Sequence, residues 1–147
     1  MKIHDVLADK GRQVVTVWPE KQLGDIPRLF DERNIASVVV VDHAGNPLGI
    51  VTDRDVLRAM ARIGITALER PVSEAMESPP PTCLPDDTVN QILRVMTERR
   101  VRHVVVMHER KMAGIVSIGD LVKFRLKDAE LENQVLRDLA LRRMAVE

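Results

Sequence analysis

The sequence has few aromatic residues and only one cysteine. Trp18, Phe30 and Phe124 are the only aromatic residues among 147, so a base-stacking platform for single-stranded nucleic acid is not expected. Cys83 is the single cysteine, which excludes an internal disulfide. Neither charge sign is in excess, because Lys and Arg together number 22, as do Asp and Glu. The chain therefore lacks the excess of positive charge that is typical of nucleic-acid-binding proteins.

Long apolar runs are also absent. No stretch is long enough to span a membrane, and the first five residues lack the apolar core of a signal peptide. We therefore expect a cytoplasmic protein without a membrane partner. With 45% hydrophobic and 30% charged residues, the composition is that of a chain that folds around a core of ordinary size.

What the sequence does contain is an internal duplication. An offset of 66 positions places residues 16–35 on 82–101 and the valine run 38–40 on 104–106. One residue is then lost in a turn, and an offset of 65 places Gly49 on Gly114. Each repeat reads as strand, helix, strand, strand, helix. The predicted fold class is α/β (α+β), with two tandem repeats packed together as one unit.

We place the first repeat, with an N-terminal helix, at residues 1–68, the second repeat at 69–126, and a C-terminal helical tail at 127–147. The valine runs are too continuous for half-exposed strands, so they are expected to be central and buried. Pro27 is incompatible with a helix interior. It predicts that the helix of the first repeat begins late, near Asp25 as the N-cap.

Two segments lie outside this repeated pattern. A polar connector, residues 64–78, is predicted to hold a short helix over 72–76, whose counterpart at the start of the chain is 3–7. From Arg125 onward the sequence has no counterpart, and apolar residues recur there at helical spacing among five basic and five acidic residues. This predicts a helix that packs on its own core or on a partner subunit, while a membrane-surface helix is disfavoured because cations are not in excess. The apolar positions are Leu131, Val135, Leu136, Leu139, Ala140 and Met144.

Each repeat ends in the same motif, Gly-apolar-apolar-Ser/Thr-x-x-Asp, at residues 49–55 and 114–120. One interpretation is structural, since a Ser or Thr at a helix N-cap and an acidic residue three positions later form a capping box. The other is functional. A helix N-terminus suits phosphate, the hydroxyl adds a donor, and the carboxylate can accept both hydroxyls of a ribose. The occurrence of two copies at matching points favours the functional interpretation.

These residues resemble a known family. The two motifs, together with Arg102-His103-Val104-Val105-Val106, are similar to those of a stand-alone tandem pair of cystathionine-β-synthase (CBS) domains, a Bateman module, and the resemblance covers residues 3–126. It implies two repeats related by a pseudo-twofold axis, with two clefts between their sheets, and association as a flat homodimer. It also implies a sensor without catalysis that binds AMP, ADP, ATP, NAD(H) or S-adenosylmethionine and regulates an unidentified target protein.

The resemblance also assigns roles to matching residues. Asp55 and Asp120 would hold the ribose hydroxyls, and Thr52 and Ser117 the ribose or phosphate. The adenine slot would be lined by Thr16, Val17, Thr82 and Cys83, and the phosphates would be neutralised by Arg54, Arg102 and His103.

The two clefts are not expected to bind equally, because Arg54 corresponds to Gly119 in the second repeat. Structural interpretations stay open for several of these residues. Arg102 could be merely solvated and His103 a partly buried strand residue, while Trp18 could stack on adenine or serve packing or a dimer contact.

Catalytic and metal-binding roles find little support. Cys83 and His103 could be read as nucleophile and base, but a lone cysteine in an apolar strand is usually inert. His103 and His108 lie five apart along a strand and face opposite sides, so no metal site is expected.

A further hypothesis is that the chain is the remnant of an inosine-monophosphate dehydrogenase. It fails because the catalytic barrel of such an enzyme needs about 250 residues. We expect no enzyme activity. The remaining alternative to a nucleotide sensor is a module that dimerises and regulates a partner without binding nucleotide.

Overall fold

The computed structural model describes residues 1–146, and the side chains of residues 1–145. The first repeat contains β1 (Thr16–Val17), α2 (Asp25–Arg33), β2 (Ser37–Val41), β3 (Pro47–Thr52) and α3 (Asp53–Ile63). The second contains β4 (Thr82–Cys83), α4 (Val89–Arg99), β5 (His103–His108), β6 (Lys111–Ser117) and α5 (Ile118–Val146). Helix α1 (Ile3–Lys10) precedes the first repeat, and two short 3-10 helices, Ile65–Glu69 and Val72–Glu74, lie in the connector. The predicted order of elements and fold class are confirmed.

The duplication extends to the hydrogen-bond register of the two three-stranded sheets. In each sheet the short first strand is parallel to the middle strand, which is antiparallel to the third. Thr16 pairs with Val39 and Thr82 with Val105, and each middle strand has one irregularity, between Val40 and Val41 or between Val106 and Met107. The two sheets are therefore close structural copies.

The valine runs are buried on both faces, as predicted. Val38 and Val40 belong to the core of the first repeat and Val104 and Val106 to that of the second, each at most 1% exposed. The alternate valines, Val39 and Val105, face the opposite way and meet in a third cluster between the sheets. Because one face of each middle strand is covered only by the other sheet, neither repeat buries its central strand alone.

The segments that flank the repeats pack reciprocally. Helix α1 comes before the first repeat in sequence, yet Ile3, Val6 and Leu7 lie in the core of the second repeat. Conversely, Val72 of the connector lies in the core of the first repeat. Backbone hydrogen bonds hold both arrangements, from Ile3 N–H to Asp87 C=O at 2.9 Å and between Glu77 and Ile50 in both directions.

The glycines that open the two motifs make this packing possible. Gly49 and Gly114 occupy equivalent positions opposite Val40 and Val106. A Cβ at Gly49 would lie 2.8 Å from the Glu77 carbonyl oxygen and 2.6 Å from the Met76 sulfur. A Cβ at Gly114 would lie 2.7 Å from Cδ2 of Leu7. Each glycine therefore admits the flanking segment that packs on its sheet.

Two local predictions differ in detail from the structure. Helix α2 begins at Asp25 with Gly24 as its N-cap, one residue before the predicted cap, and Pro27 lies in its first turn as expected. The short helix predicted over 72–76 is one 3-10 turn, Val72–Glu74.

The C-terminal tail is not a separate helix, because α5 runs without a break from the second motif to Val146. Its first turns are packed, with Leu121 buried and Phe124 half-buried. Every side chain from 125 to 145 is exposed. The ion pair of Lys127 with Asp9 at 3.1 Å lies at the start of this stretch. The alternative that the tail packs on its own core is therefore wrong.

A pair of matched glycine substitutions tests the reciprocal packing. Gly49→Ala must displace a backbone carbonyl, whereas Gly114→Ala meets only the flexible end of Leu7. We expect Gly49→Ala to cost about 1–3 kcal/mol, a decrease in Tm of about 3–10 °C for a chain of this size, and Gly114→Ala to cost less. Thermal unfolding followed by circular dichroism measures both variants. An equal loss in both would contradict this account of Gly49.

Candidate ligand clefts

Both motif aspartates close capping boxes at the start of a helix. The Asp55 Oδ2 atom accepts the Thr52 N–H at 2.8 Å and the Thr52 hydroxyl at 3.0 Å. In the second motif, Asp120 Oδ2 accepts the Ser117 N–H at 2.8 Å, and the Ser117 hydroxyl accepts the Asp120 N–H at 3.0 Å. The structural interpretation of the motif is therefore correct. It leaves the second oxygen, Oδ1, of each carboxylate outside these bonds.

A cleft lies beside the strand-to-helix turn of each motif, residues 52–55 and 117–120, and we call this turn the corner of its repeat. Each cleft is shared by the two repeats. The first cleft consists of two adjoining cavities of about 750 and 70 Å³, between the corner of the first repeat and residues 100–103 of the second. The second cleft, about 370 Å³, lies between the corner of the second repeat and residues 33–37 of the first. Since 33–37 corresponds to 99–103 in the duplication, the clefts are equivalent by the pseudo-twofold relation.

The first cleft is strongly cationic. Arg54, Arg58 and Arg62 follow one another at four-residue spacing along α3, so they share one face of that helix. Six arginines and three carboxylates line the larger cavity; the other three arginines are Arg70, Arg99 and Arg100. Such a wall suits a ligand that carries several negative charges. Of these six arginines only Arg54 was predicted from the sequence, although the four-residue spacing indicates the two arginines that follow it on the same helix face.

Two arginines beside the first motif are already placed near acids. The Arg102 guanidinium donates to Asp53 Oδ1 at 2.8 Å and so joins the second repeat to the first motif. Arg58 lies 3.7 Å from Asp55 Oδ1, beyond a good hydrogen bond. Asp55 itself is 9% exposed and is the one charged residue in the buried core of the described chain. Its second oxygen, Oδ1, thus has no short hydrogen bond within the described chain.

Lys10 occupies the second cleft. Its ammonium group donates to Asp120 Oδ2 at 2.6 Å and to the Ile115 carbonyl at 2.8 Å. Burial raises the pKa of Asp120, but the hydrogen bonds from Lys10 and Ser117 outweigh it, so the pKa lies below its ordinary value. Lys10 was not predicted from the sequence. No local pattern indicates that the last residue of α1 reaches a carboxylate 110 positions later.

His103 lies between the clefts, since it lines both of them. Burial, together with the nearby Arg102 charge, lowers the pKa of His103, so its ring is neutral at pH 7. Its Nδ1 atom is buried and has no hydrogen-bond partner among the described residues. A buried polar atom without a partner is costly.

The residues assigned to the adenine slot lie elsewhere. Val17 and Cys83 are buried in the cores of their repeats, while Thr16 and Thr82 are exposed. None of the four lines either cleft, although Val15, at the end of the same segment, lines the second.

Two further residues singled out in the sequence have local explanations. Burial, with the nearby Asp87 charge, raises the pKa of the Cys83 thiol to about 12, so it is not a nucleophile at neutral pH. Trp18 is half-exposed, and its ring lies 4.7 Å from that of His43.

Within residues 1–146, no group of three or more His, Cys, Asp or Glu side chains is placed to hold a metal ion. No helix of that part is long and apolar enough to cross a membrane.

The structure thus contains two α/β repeats of nearly the same fold, with two equivalent clefts between them. This arrangement defines the class of protein as a tandem module. The chain matches the CBS domain over residues 5–62 and again over residues 72–127. It therefore belongs to the CBS domain family, as the resemblance implied.

Solved structures with the same fold cover most of the chain. A CBS-domain protein from Agrobacterium tumefaciens is 41% identical, with a TM-score of 0.83 over 85% of this chain and 99% of that one. A CBS-domain protein from Burkholderia ambifaria is 31% identical, with a TM-score of 0.82 over 87% and 96%.

Curated relatives are longer. A mitochondrial CBS domain-containing protein of Arabidopsis thaliana is 30% identical over 129 residues, which is 82% of this chain but 63% of that protein. The chain spans 40% of a relative from Methanocaldococcus jannaschii.

The Lys10–Asp120 contact predicts a pH dependence of stability. The folded pKa of Asp120 lies below its unfolded value of about 3.9, so the contact stabilises the fold above that pH. The contribution is lost as the pH falls through the folded pKa. We expect Lys10→Met to cost about 1–2 kcal/mol at pH 7. The difference from wild type should shrink as the pH falls below about 4.

Urea unfolding at several pH values measures this difference. Lys127→Met is the matched control, because it removes an ion pair, with Asp9, that is about half-exposed and should contribute little. A loss for Lys10→Met that does not change with pH would contradict the assignment.

Proposed function

We propose that this chain is a regulatory module that binds an adenine nucleotide, AMP, ADP, ATP or NAD(H), in the first cleft. Occupancy signals through conformation or through assembly of a homodimer, toward a target protein. The single observation that carries the proposal is the position of Asp55. This buried carboxylate keeps one weakly satisfied oxygen at the edge of a 750 Å³ cavity whose walls are rich in arginine.

The chemistry of the first cleft matches the parts of a nucleotide. Asp55 Oδ1 would accept the hydroxyls of a ribose, and the N-terminus of α3 with Arg54 in its first turn would attract phosphate. Apolar side chains line the other side of the cavity and could pack against a base; they are Leu23, Ala67, Ala75 and Met76. The earlier assignment of the base to Thr16, Val17, Thr82 and Cys83 remains a prediction.

Relatives with bound ligands support the same ligand class. A CBS domain protein from Pyrobaculum aerophilum is complexed with AMP, and another CBS domain pair with 5′-methylthioadenosine and S-adenosyl-L-methionine. They are 24% and 21% identical to this chain, so their likeness concerns the fold. The choice of ligand for this chain therefore depends on its own cleft, where the arginines favour a phosphorylated adenosine.

One observation is equally compatible with the alternative, a module that dimerises and regulates a partner without binding nucleotide. Both motif carboxylates are already engaged in capping boxes. A ligand-free module would need these same bonds, so the motif by itself does not distinguish the two functions.

Nucleotide binding separates the two functions. AMP, ADP, ATP, NAD or NADH at about a hundred times its Kd should stabilise the wild type by roughly 2.7 kcal/mol. Asp55→Ala should abolish the shift in Tm. The matched control is Thr88→Ala, which removes the same type of capping box from α4, away from both clefts. It should lower Tm but keep the full nucleotide shift.

Differential scanning fluorimetry with each nucleotide measures these shifts. If no nucleotide raises the Tm of the wild type, the alternative function is favoured. Binding that survives Asp55→Ala would show that this carboxylate does not hold the ribose.

The contact of Lys10 predicts one nucleotide per chain. Its ammonium group neutralises Asp120 in the second cleft, so a ribose there would meet a carboxylate whose charge is already compensated. In Lys10→Met that carboxylate is released, and we expect a second, weaker binding event by isothermal titration calorimetry. Asp120→Ala in the Lys10→Met background should return the stoichiometry from two to one. Two equal sites in the wild type would overturn this role of Lys10.

A further inference from the structure

Most of α5, from residue 125 onward, has no packing partner in the described chain. We call residues 125–146 the free segment; all of its described side chains are exposed. An isolated helix of this length is marginal in water, because helices gain most of their stability by packing an apolar face. Leu131, Val135 and Leu139 are nevertheless exposed by 61, 49 and 54%. An exposed row of apolar side chains on such a helix requires a second surface that buries it.

The row has a defined centre and charged ends. Leu131 and Leu139 lie one turn before and one turn after Val135, so the three form a stripe on one face. Asp128 lies seven residues before Val135, and Arg142 lies seven residues after it. Seven residues are close to two helical turns, so both charges fall on the same face as the stripe. We call these five residues the seam.

We propose that the free segment pairs antiparallel with the same segment of a second copy of this chain, about a twofold axis at Val135. Val135 then lies opposite its own copy, and Leu131 opposite Leu139 of the other helix. Asp128 of each helix meets Arg142 of the other, so the charged contact occurs twice. In a parallel pair, Asp128 would meet Asp128 and Arg142 would meet Arg142. The charges of the seam therefore select the antiparallel arrangement.

The length of the free segment fits this pairing. Phe124, the last half-buried residue of α5, lies eleven residues before Val135, and Val146, the last residue of the helix that the structure describes, lies eleven residues after it. The overlap is about 33 Å long. The seam is centred on the free segment as a whole.

The opposite face of the free segment offers a less suitable surface. Leu126, Ala140 and Met144 form a second apolar row, interrupted by Asn133 at its centre. This row lacks a charge pair placed symmetrically about its centre, so nothing there selects an orientation. The seam is the surface that specifies a second copy.

The inference deepens the homodimer of the proposed function, on which it rests, by naming the surface and the orientation. It does not depend on nucleotide, because no residue of the seam lines either cleft. A failure of one proposal can therefore be told from a failure of the other.

Charge exchange across the seam tests the orientation in the full-length chain. We expect Asp128→Arg to weaken dimerisation by about tenfold or more, because two attractive contacts become repulsive, and Arg142→Asp to do the same. The double variant Asp128→Arg/Arg142→Asp restores both contacts in the antiparallel pair and should recover the wild-type dimer. In a parallel pair it would restore nothing. Sedimentation equilibrium gives the dissociation constant of each variant.

Disulfide trapping tests the register. Val135→Cys should cross-link with itself under mild oxidation, whereas Leu131→Cys alone should not, because two such residues would be about 12 Å apart along the axis. A mixture of Leu131→Cys and Leu139→Cys chains should form the mixed disulfide. Cys83 is buried and does not interfere.

Four results would overturn the pairing. Self-cross-linking of Leu131→Cys would indicate a parallel pair, and cross-linking of Asn133→Cys in place of Val135→Cys would indicate the opposite face. A wild-type dimer that neither the charge variants nor Val135→Cys affects would assemble through another surface. A monomeric wild type would overturn this pairing and the homodimer together, while nucleotide binding, measured separately, would stand.

Discussion

The fold depends on the burial of two central strands on both of their faces. Val38 to Val40 and Val104 to Val106 are at most 1% exposed, and only the opposing sheet covers the faces that carry Val39 and Val105. Apolar burial on this scale is the main favourable term in folding, and here it requires two sheets. The reciprocal packing of α1 on the second repeat and of the connector on the first strengthens the same association.

The clefts follow from this association. When two equivalent sheets pack about a pseudo-twofold axis, the corner of each repeat is brought to the loop that precedes the middle strand of the other. Their difference comes from one unlike pair within the repeated motif, Arg54 and Gly119, and from Lys10, which belongs to a flanking helix. A symmetric scaffold thus carries one cationic cleft and one cleft that contains an internal ion pair.

Helix α5 connects the second cleft with the surface proposed for assembly. Its first turn carries Asp120, and the same helix continues through the free segment to Val146 without a break. A helix of 29 residues is about 43 Å long. Cleft and free segment therefore belong to one continuous element.

Periodicity and duplication in the sequence were enough to determine the order of the elements, the buried valine strands, and two capped corners that carry Asp55 and Asp120. These are local properties: strand and helix periods, proline and glycine positions, and a hydroxyl three residues before a carboxylate. Only the tertiary structure determined which distant residues contact each corner. Lys10 reaches Asp120, Arg102 reaches Asp53, and His103 comes to lie between both clefts. Such contacts depend on how the two sheets and their flanking segments pack, and that packing minimises exposed apolar surface over the whole chain, which no local pattern encodes.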